Sequence, residues 1–372
     1  METEMEMRAL EATPLSSDLT PPIPPISVAL HDKYLASHCT ICFRRLSNPS
    51  SVTTTLDAYT ISLMHSCSAC SARVKYCSPN CYAADSNGHV SSGECGLFFL
   101  LRSTAEDSTD LRAALRLLHY FECLGILPSP KRHESSGRIG GLLVAGLVEI
   151  MEEAGELAER IREGATLMAR ARHTENFGDF PHEKVSVEEE MLWAVMLNGV
   201  EVEIGELGAV GVAVYGPWFS WFNHSCLPNA CYRFDLSPHH EELQHEGSGS
   251  FKVFPASSGN QGSHVWKRWN FVDSSIVPGL CWFGPRIIIR SIKPLNKSEE
   301  VCITYMDLLQ PKVMRHLDLW SRYHFICHCK RCCISPQMYI DFILNCDTRS
   351  LNCANSTSLN PPLWLLISWR KP

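Results

Sequence analysis

Asn223-His224-Ser225-Cys226-Leu227-Pro228-Asn229 follows directly on the aromatic run Trp218-Phe219-Ser220-Trp221-Phe222. Side chains that can hydrogen-bond or bind metal are thus set at the end of an apolar approach. Polar groups in such a place must be satisfied by a ligand, a metal or other protein groups. An Asn-His-Ser triple by itself is more simply a well-bonded turn after a strand. Two later segments change that reading: Glu299-Glu300-Val301-Cys302-Ile303-Thr304-Tyr305, and the closely spaced Cys327, Cys329 and Cys332.

In this order the three segments resemble the SET-domain protein methyltransferases, whose signature is an NHSCxPN element, an EE-(V/L)-x-I-x-Y strand and a post-SET cysteine cluster. Paired cysteines nearer the N-terminus narrow the resemblance to the SET-and-MYND (SMYD-like) branch, of the plant SET DOMAIN GROUP type. The resemblance implies an α+β fold. A SET β-core of short, pseudoknot-like strands would be split by a MYND zinc finger and a helical insert, with a post-SET zinc cluster after it. It also implies an S-adenosylmethionine-dependent protein-lysine N-methyltransferase acting on lysines of histones or other proteins. Two departures are visible: no glycine occurs in residues 1–30, where the family opens with a Gly-x-Gly-type turn, and Ser298 stands where glycine is common. Met7-Arg8-Ala9-Leu10 is the nearest equivalent of that turn. The alternative is a non-catalytic MYND/SET adaptor that binds proline-rich partners in transcriptional regulation.

The 372 residues suffice for two or three units, each with a core, and the net charge is −7. That balance disfavours a DNA-binding finger protein gripping nucleic acid over a broad basic surface. It is compatible with a basic partner such as a histone tail. The 18 cysteines fall in a chain whose start is acidic, with no signal-peptide pattern, so clustered CxxC spacings read as metal sites rather than disulfides. No apolar run reaches bilayer length. The expected setting is nucleus or cytoplasm, with no membrane partner.

Residues 39–95 carry Cys39-x2-Cys42, Cys67-x2-Cys70, Cys77-x3-Cys81, His89 and Cys95. These potential ligands, in successive pairs, suffice for two tetrahedral zinc sites. The segment has little else to build a core from, so metal would supply its folding energy; thiols without metal are the alternative. Tyr76-Cys77-Ser78-x2-Cys81 resembles the finger's YCSxxC element. The resemblance implies interleaving: Cys39 and Cys42 close with Cys77 and Cys81, and Cys67 and Cys70 with His89 and Cys95. Five residues separate His89 from Cys95 where three are usual, and His65 is the alternative to His89.

Elsewhere the chain divides by pattern. Residues 1–38 contain Thr20-Pro21-Pro22-Ile23-Pro24-Pro25, which excludes a helix and favours extended backbone. A disordered tail would satisfy that, whereas the resemblance puts the first SET strands there. Residues 96–196 read as mainly helical scaffold. Leu111, Leu115, Leu118, Phe121 and Leu124 recur at helical spacing, 140–172 is rich in Ala, Leu, Glu and Arg, and a helix over 187–197 starts at Ser186 as N-cap. Residues 197–310 form the catalytic core, with strands over 200–204, 208–214 and 286–290. Between them 235–280 reads as a flexible insertion rather than a metal loop of His239, His240, His245 and His264. A helix over 313–323 opens the post-SET segment, 311–335. The tail, 336–372, with Cys346, Cys353 and the apolar 364–369, is too short for the helical-repeat domain of longer relatives and reads as a short form.

Residue roles follow from the resemblance. Asn223, His224 and Asn198 would bind the methyl donor, Phe325 would pack on its adenine, and Arg8 would make an N-terminal contact. Tyr305 would be the catalytic residue and Tyr215 a wall of the lysine channel. Cys226 would join Cys327, Cys329 and Cys332 as fourth ligand of the post-SET zinc, with Cys333 as substitute. Tyrosine titrates near ~10 and lysine near ~10.4, so Tyr305 can orient an amine without ionising while dry surroundings disfavour the ammonium.

Overall fold

The computed structural model describes residues 5–46, 65–101, 107–127, 137–172, 186–236, 250–257 and 284–333. Strands β1 (Met5–Ala9) and β2 (Pro25–Leu30) come first, then the short pair β3 (His65–Ser66) and β4 (Lys75–Tyr76). Helices α1 (Pro79–Ser91), α2 (Glu94–Leu100) and α3 (Thr109–Cys123) follow. A small hairpin, β5 (Arg138–Ile139) and β6 (Leu142–Leu143), precedes helices α4 (Leu147–Glu153), α5 (Glu156–Arg172) and α6 (Val187–Asn198). Next are β7 (Gly199–Glu203), β8 (Ala209–Tyr215), the short helix α7 (Pro217–Ser220), β9 (Ala230–Asp235), β10 (Val253–Ser257) and β11 (Arg286–Ser291). Helices α8 (Lys312–Tyr323) and α9 (Lys330–Cys333) complete the described chain. The fold is mixed helix and strand.

The proline-rich stretch is extended and paired. Within Pro21-Pro22-Ile23-Pro24-Pro25 only Ile23 has an N–H. That group donates to Ile287 O at 2.8 Å, and Ile23 O accepts from Ile287 N at 2.9 Å. The prolines therefore cost no ladder hydrogen bonds. β2 continues from it into the antiparallel sheet β2-β8-β7. β8, Ala-Val-Gly-Val-Ala-Val-Tyr, is buried on both faces. Val212 and Val214 face the helical layer of α3 and α6, while Ala213 and Tyr215 face the other core. A Cβ at Gly211 would fall 2.9 Å from the Phe43 ring and 2.5 Å from Ala29 O, so glycine lets the loop that follows Cys42 lie on this sheet.

α6 begins as its sequence indicates. Ser186 Oγ accepts from Glu189 N at 3.2 Å, and Glu189 Oε2 accepts from Ser186 N at 2.6 Å, a reciprocal capping box. The reading of 140–172 as helical needs correction at its start. Leu142 and Leu143 belong to a hairpin turned by Gly140 and Gly141, both at positive φ. The reading of 235–280 as a flexible insertion also needs correction, because β10 lies inside it. Val253–Ser257 pairs antiparallel with Met5–Ala9, with Pro255 opposite Met7. Periodicity hides this strand, since its partner is far away in sequence and a proline interrupts it. The four histidines of that insertion lie outside the described residues, as do Cys346, Cys353 and 364–369.

Residues 299–303 run between two distant pieces of chain. On one side Ala9 N donates to Glu299 O (2.9 Å) and Val301 N to Met7 O (2.7 Å). On the other, Ser225 N donates to Ile303 O (2.9 Å) and Ile303 N to Asn223 O (3.0 Å). Among the described residues no helix is long and apolar enough to cross a membrane.

Candidate active site and metal centres

The 223–229 turn and the 299–305 segment lock together through side chains as well as backbone. Asn223 Nδ2 donates to Glu300 Oε1 at 3.0 Å. Asn229 donates to Glu299 Oε1 (3.1 Å) and Glu300 O (2.8 Å), and its amide oxygen accepts from Cys302 N (2.8 Å). His224 Nδ1 accepts from Tyr305 N at 3.0 Å, which leaves the ring proton on Nε2, 3.2 Å from Cys226 Sγ. Burial, then the Arg315 guanidinium, lowers the His224 pKa to about 4, so the ring is neutral. Neighbouring asparagine and histidine side chains thus help hold these two segments in register.

Tyr305 ends this segment in a group of aromatic rings. Its ring lies 4.9 Å from Tyr323 and 5.3 Å from His224, and Phe325 lies 6.0 Å from His224. The Tyr305 hydroxyl donates to Phe222 O at 2.6 Å. Burial, with Tyr323 beside it, raises its pKa above the ordinary tyrosine value, so the group is a neutral phenol whose oxygen lone pairs are left to accept. On His224 opens a cleft of about 290 Å³ lined by His224, Ser225, Glu300, Cys302 and the run 325–329. Phe325 and Ile326 give it an apolar wall, and Glu300 an acceptor edge. Such a wall-and-edge arrangement fits a flat heterocycle carrying hydrogen-bond donors.

Three sets of four ligand atoms converge, each with all atoms within 4.8 Å of one another: Cys39, Cys42, Cys77, Cys81; Cys67, Cys70, His89, Cys95; and Cys226, Cys327, Cys329, Cys332. In the first, Cys77 Sγ lies 3.4 Å from Cys42 Sγ and 3.7 Å from Cys81 Sγ. A zinc–sulfur bond of about 2.3 Å gives a tetrahedral edge of about 3.8 Å, so the spacing suits a shared metal, and these cysteines form no disulfide. In the second, His89 Nε2 faces Cys95 Sγ (3.0 Å) and Cys70 Sγ (3.5 Å). The longer His89–Cys95 spacing is absorbed by a turn at Ser92 and Gly93 (φ 89°) that reverses α1 into α2.

His89 Nδ1 is held at 2.6 Å by Glu94 Oε2, and both side chains are fully buried. This is the carboxylate–histidine arrangement that orients a metal ligand. Burial opposes ionisation of Glu94, yet Arg116, His89 and Arg112 outweigh it and hold the carboxyl below its ordinary range. Arg116 also pairs with Asp85 at 2.5 Å, and Asp85 accepts from Tyr76 Oη at 2.9 Å. Arg112 reaches Asp32 at 2.6 Å. The second cluster is therefore tied to α3 and to the end of β2 through buried charges.

Other expected residues fall elsewhere. Asn198 has its amide engaged by Leu143 N (3.0 Å), Leu143 O (2.8 Å) and Ala194 O (2.7 Å), and so holds the β5–β6 hairpin onto α6. Arg8 donates to Glu6 and to Ser298 O (2.6 Å), outside the cleft lining. Tyr215 is 1% exposed, outside the cleft lining, and its hydroxyl donates to Pro285 O at 2.6 Å. His65 stacks on Tyr82 and Cys333 points to His328 O, both outside the clusters. Sequence reading missed Glu94, Glu300, Tyr323 and Arg315. Only Glu300 carried a signal, its place in the Glu299-Glu300 frame.

No family model matches the chain. Protein SET DOMAIN GROUP 41 of Arabidopsis thaliana is 32% identical over 343 residues, covering 91% of this chain and 51% of that protein. Histone-lysine N-methyltransferase ASHR2 of Arabidopsis thaliana is 32% identical over 123 residues, 32% of this chain and 21% of that protein. Histone-lysine N-methyltransferase SMYD3 of Mus musculus is 24% identical over 138 residues, 37% of this chain and 21% of that protein. With its mixed fold, its interlocked Asn-His and Glu-Glu segments and its cysteine clusters, the chain is a SET-domain protein of the SMYD-like kind. It spans about half the length of the relative it matches along most of its own length.

Proposed function

We propose that the protein is a protein-lysine N-methyltransferase that takes its methyl group from S-adenosylmethionine, on a SET-type β-core split by a MYND-type finger. The observation that carries this reading is the Tyr305 hydroxyl, committed as donor to Phe222 O while its ring packs on His224, a residue that lines the cleft. S-adenosylmethionine, when bound, supplies an electrophilic methyl group. Asn223, His224, Glu300 and Phe325 are the residues that would hold it. A substrate amine must arrive neutral. The rings of Tyr305, Tyr323 and Phe325, packed 4.9 and 6.3 Å apart in sequence order, would give it an apolar approach that disfavours the ammonium. The Tyr305 oxygen accepts an N–H from that amine and aims its lone pair, a contribution of orientation rather than proton transfer. The three cysteine-rich clusters suit zinc, two in the finger and one after the SET core, each closed by four protein ligands and so structural. The net charge of −7 suits a basic substrate segment such as a histone tail in the nucleus, as well as other lysine-bearing proteins.

Calorimetric titration of S-adenosylmethionine into zinc-loaded protein and into Tyr305→Phe tests this. Both are expected to bind alike, while methyl transfer to a core-histone mixture falls at least ~10²-fold in the variant. Absence of donor binding by well-folded wild-type protein would overturn the enzyme reading and turn attention to the finger as an adaptor for proline-rich peptides.

A further inference from the structure

Arg315 sits on the inner face of α8, only 3% exposed. Among the described residues no carboxylate pairs with it, and its guanidinium lies against the Cys226 and Cys332 sulfurs. Nε donates to Cys226 Sγ at 3.3 Å and Nη2 to Cys332 Sγ at 3.7 Å, while Nη1 donates to Gln310 O at 2.6 Å. A buried guanidinium needs an anion beside it. Among the described residues the two sulfurs are the candidates its N–H groups reach, and as thiolates they would supply that charge. Four thiolates on a divalent metal carry two net negative charges, which is costly in a buried place, and one guanidinium halves that excess. Arg315 is thus matched to a metal–thiolate centre and mismatched to a cluster of neutral thiols.

We propose that Arg315 is the positioning residue of the third metal centre. Its two N–H···S hydrogen bonds fix Cys226, from the 223–229 turn, against Cys332, from α9, and so hold the 325–329 wall of the cleft in place. The proposal rests on the reading of this cluster as a metal site, but not on methyl transfer. Cys226 Sγ also lies beside His224 Nε2. The same sulfur therefore receives one proton-bearing nitrogen from the turn and one from α8.

The test uses the zinc-loaded full chain as wild type, Arg315→Lys, Arg315→Gln and Arg315→Met, with zinc counted by mass spectrometry and its release timed with a chelating dye. Wild-type protein is expected to hold three zinc ions. In the Met variant one of the three should leave at least tenfold faster, the other two at the wild-type rate, with Lys and Gln in between. With cobalt in place of zinc, the thiolate-to-metal charge-transfer band should move to lower energy in the Met variant, since lost N–H···S hydrogen bonds raise the sulfur donor level. A merely structural arginine would not move that band. If the Met variant fails to fold, the Lys and Gln variants carry the same comparison. Wild-type release rates and band position in all variants would overturn the proposal. Only two zinc ions in the wild type would overturn the metal reading beneath it.

Discussion

Asn229 closes the described turn with both ends of its amide, donating to Glu299 Oε1 and Glu300 O and accepting from Cys302 N. Removing it leaves the Cys302 N–H and the Glu300 carbonyl short of partners in a half-buried seam, at a cost of about 1–3 kcal/mol. Asn229→Ala is expected to lower the unfolding temperature of zinc-loaded protein by a few degrees. Asn229→Asp, though nearer in shape, should be worse. It gives up the donor and sets a carboxylate against Glu299, whose pKa is already held low, first by the Asn296 backbone and also by this asparagine. An aspartate variant as stable as wild type would mean that the amide donor is dispensable. The motif letters mark Asn223, His224 and Asn229 as important, but not what each one touches. Their partners lie some seventy residues away, and no local pattern records that pairing.

Elements with local signals were legible for the converse reason. Ser186 followed by Glu189 writes the start of α6 into four adjacent residues, and the helix read over 313–323 is α8. β10 and the β5–β6 hairpin acquire their form only from strands and helices brought up by the rest of the chain. β7, at the edge of the β2-β8-β7 sheet, carries a further consequence of packing. Burial first, then Glu203, raises the Glu201 pKa to about 7, against the opposing pull of Arg322. The folded state therefore binds this proton more tightly than the unfolded chain, whose glutamate titrates near ~4.3. The associated stability is fully present below ~4.3 and is lost as pH rises through about 7. Glu201→Gln removes the dependence. Its unfolding temperature should exceed that of wild type at pH 8, and by a smaller margin at pH 5.5. A constant difference across that range would mean the carboxyl titrates normally in the fold.

At the scale of the molecule, the segment that carries the first two cysteine clusters is joined to the rest by charge as well as by its sheet contacts. His89, Glu94, Arg112, Arg116 and Asp85 form one buried network, and Arg112 hands it on to Asp32 at the end of β2. Such a network is stable only while every member is satisfied. A metal on His89 Nε2 would fix the second face of the ring that Glu94 holds at Nδ1. Without it the ring would rest on Glu94 and its packing alone. The two finger centres differ in access: Cys77 is exposed and Cys42 half-buried in the first, whereas all four ligands of the second are buried. Under slow chelation the first centre is therefore expected to empty before the second. Amide exchange in α3 should stay slow through that loss and rise only when the second centre empties, since Arg112 and Arg116 lie on α3. Mass spectrometry of exchange at successive zinc stoichiometries reads both events on one sample. Faster exchange in α3 during the first loss would mean that the two centres fold as one unit. Unchanged exchange after the second would mean that the buried charges hold α3 without metal, and that the finger can be emptied without loosening the layer against which β8 packs.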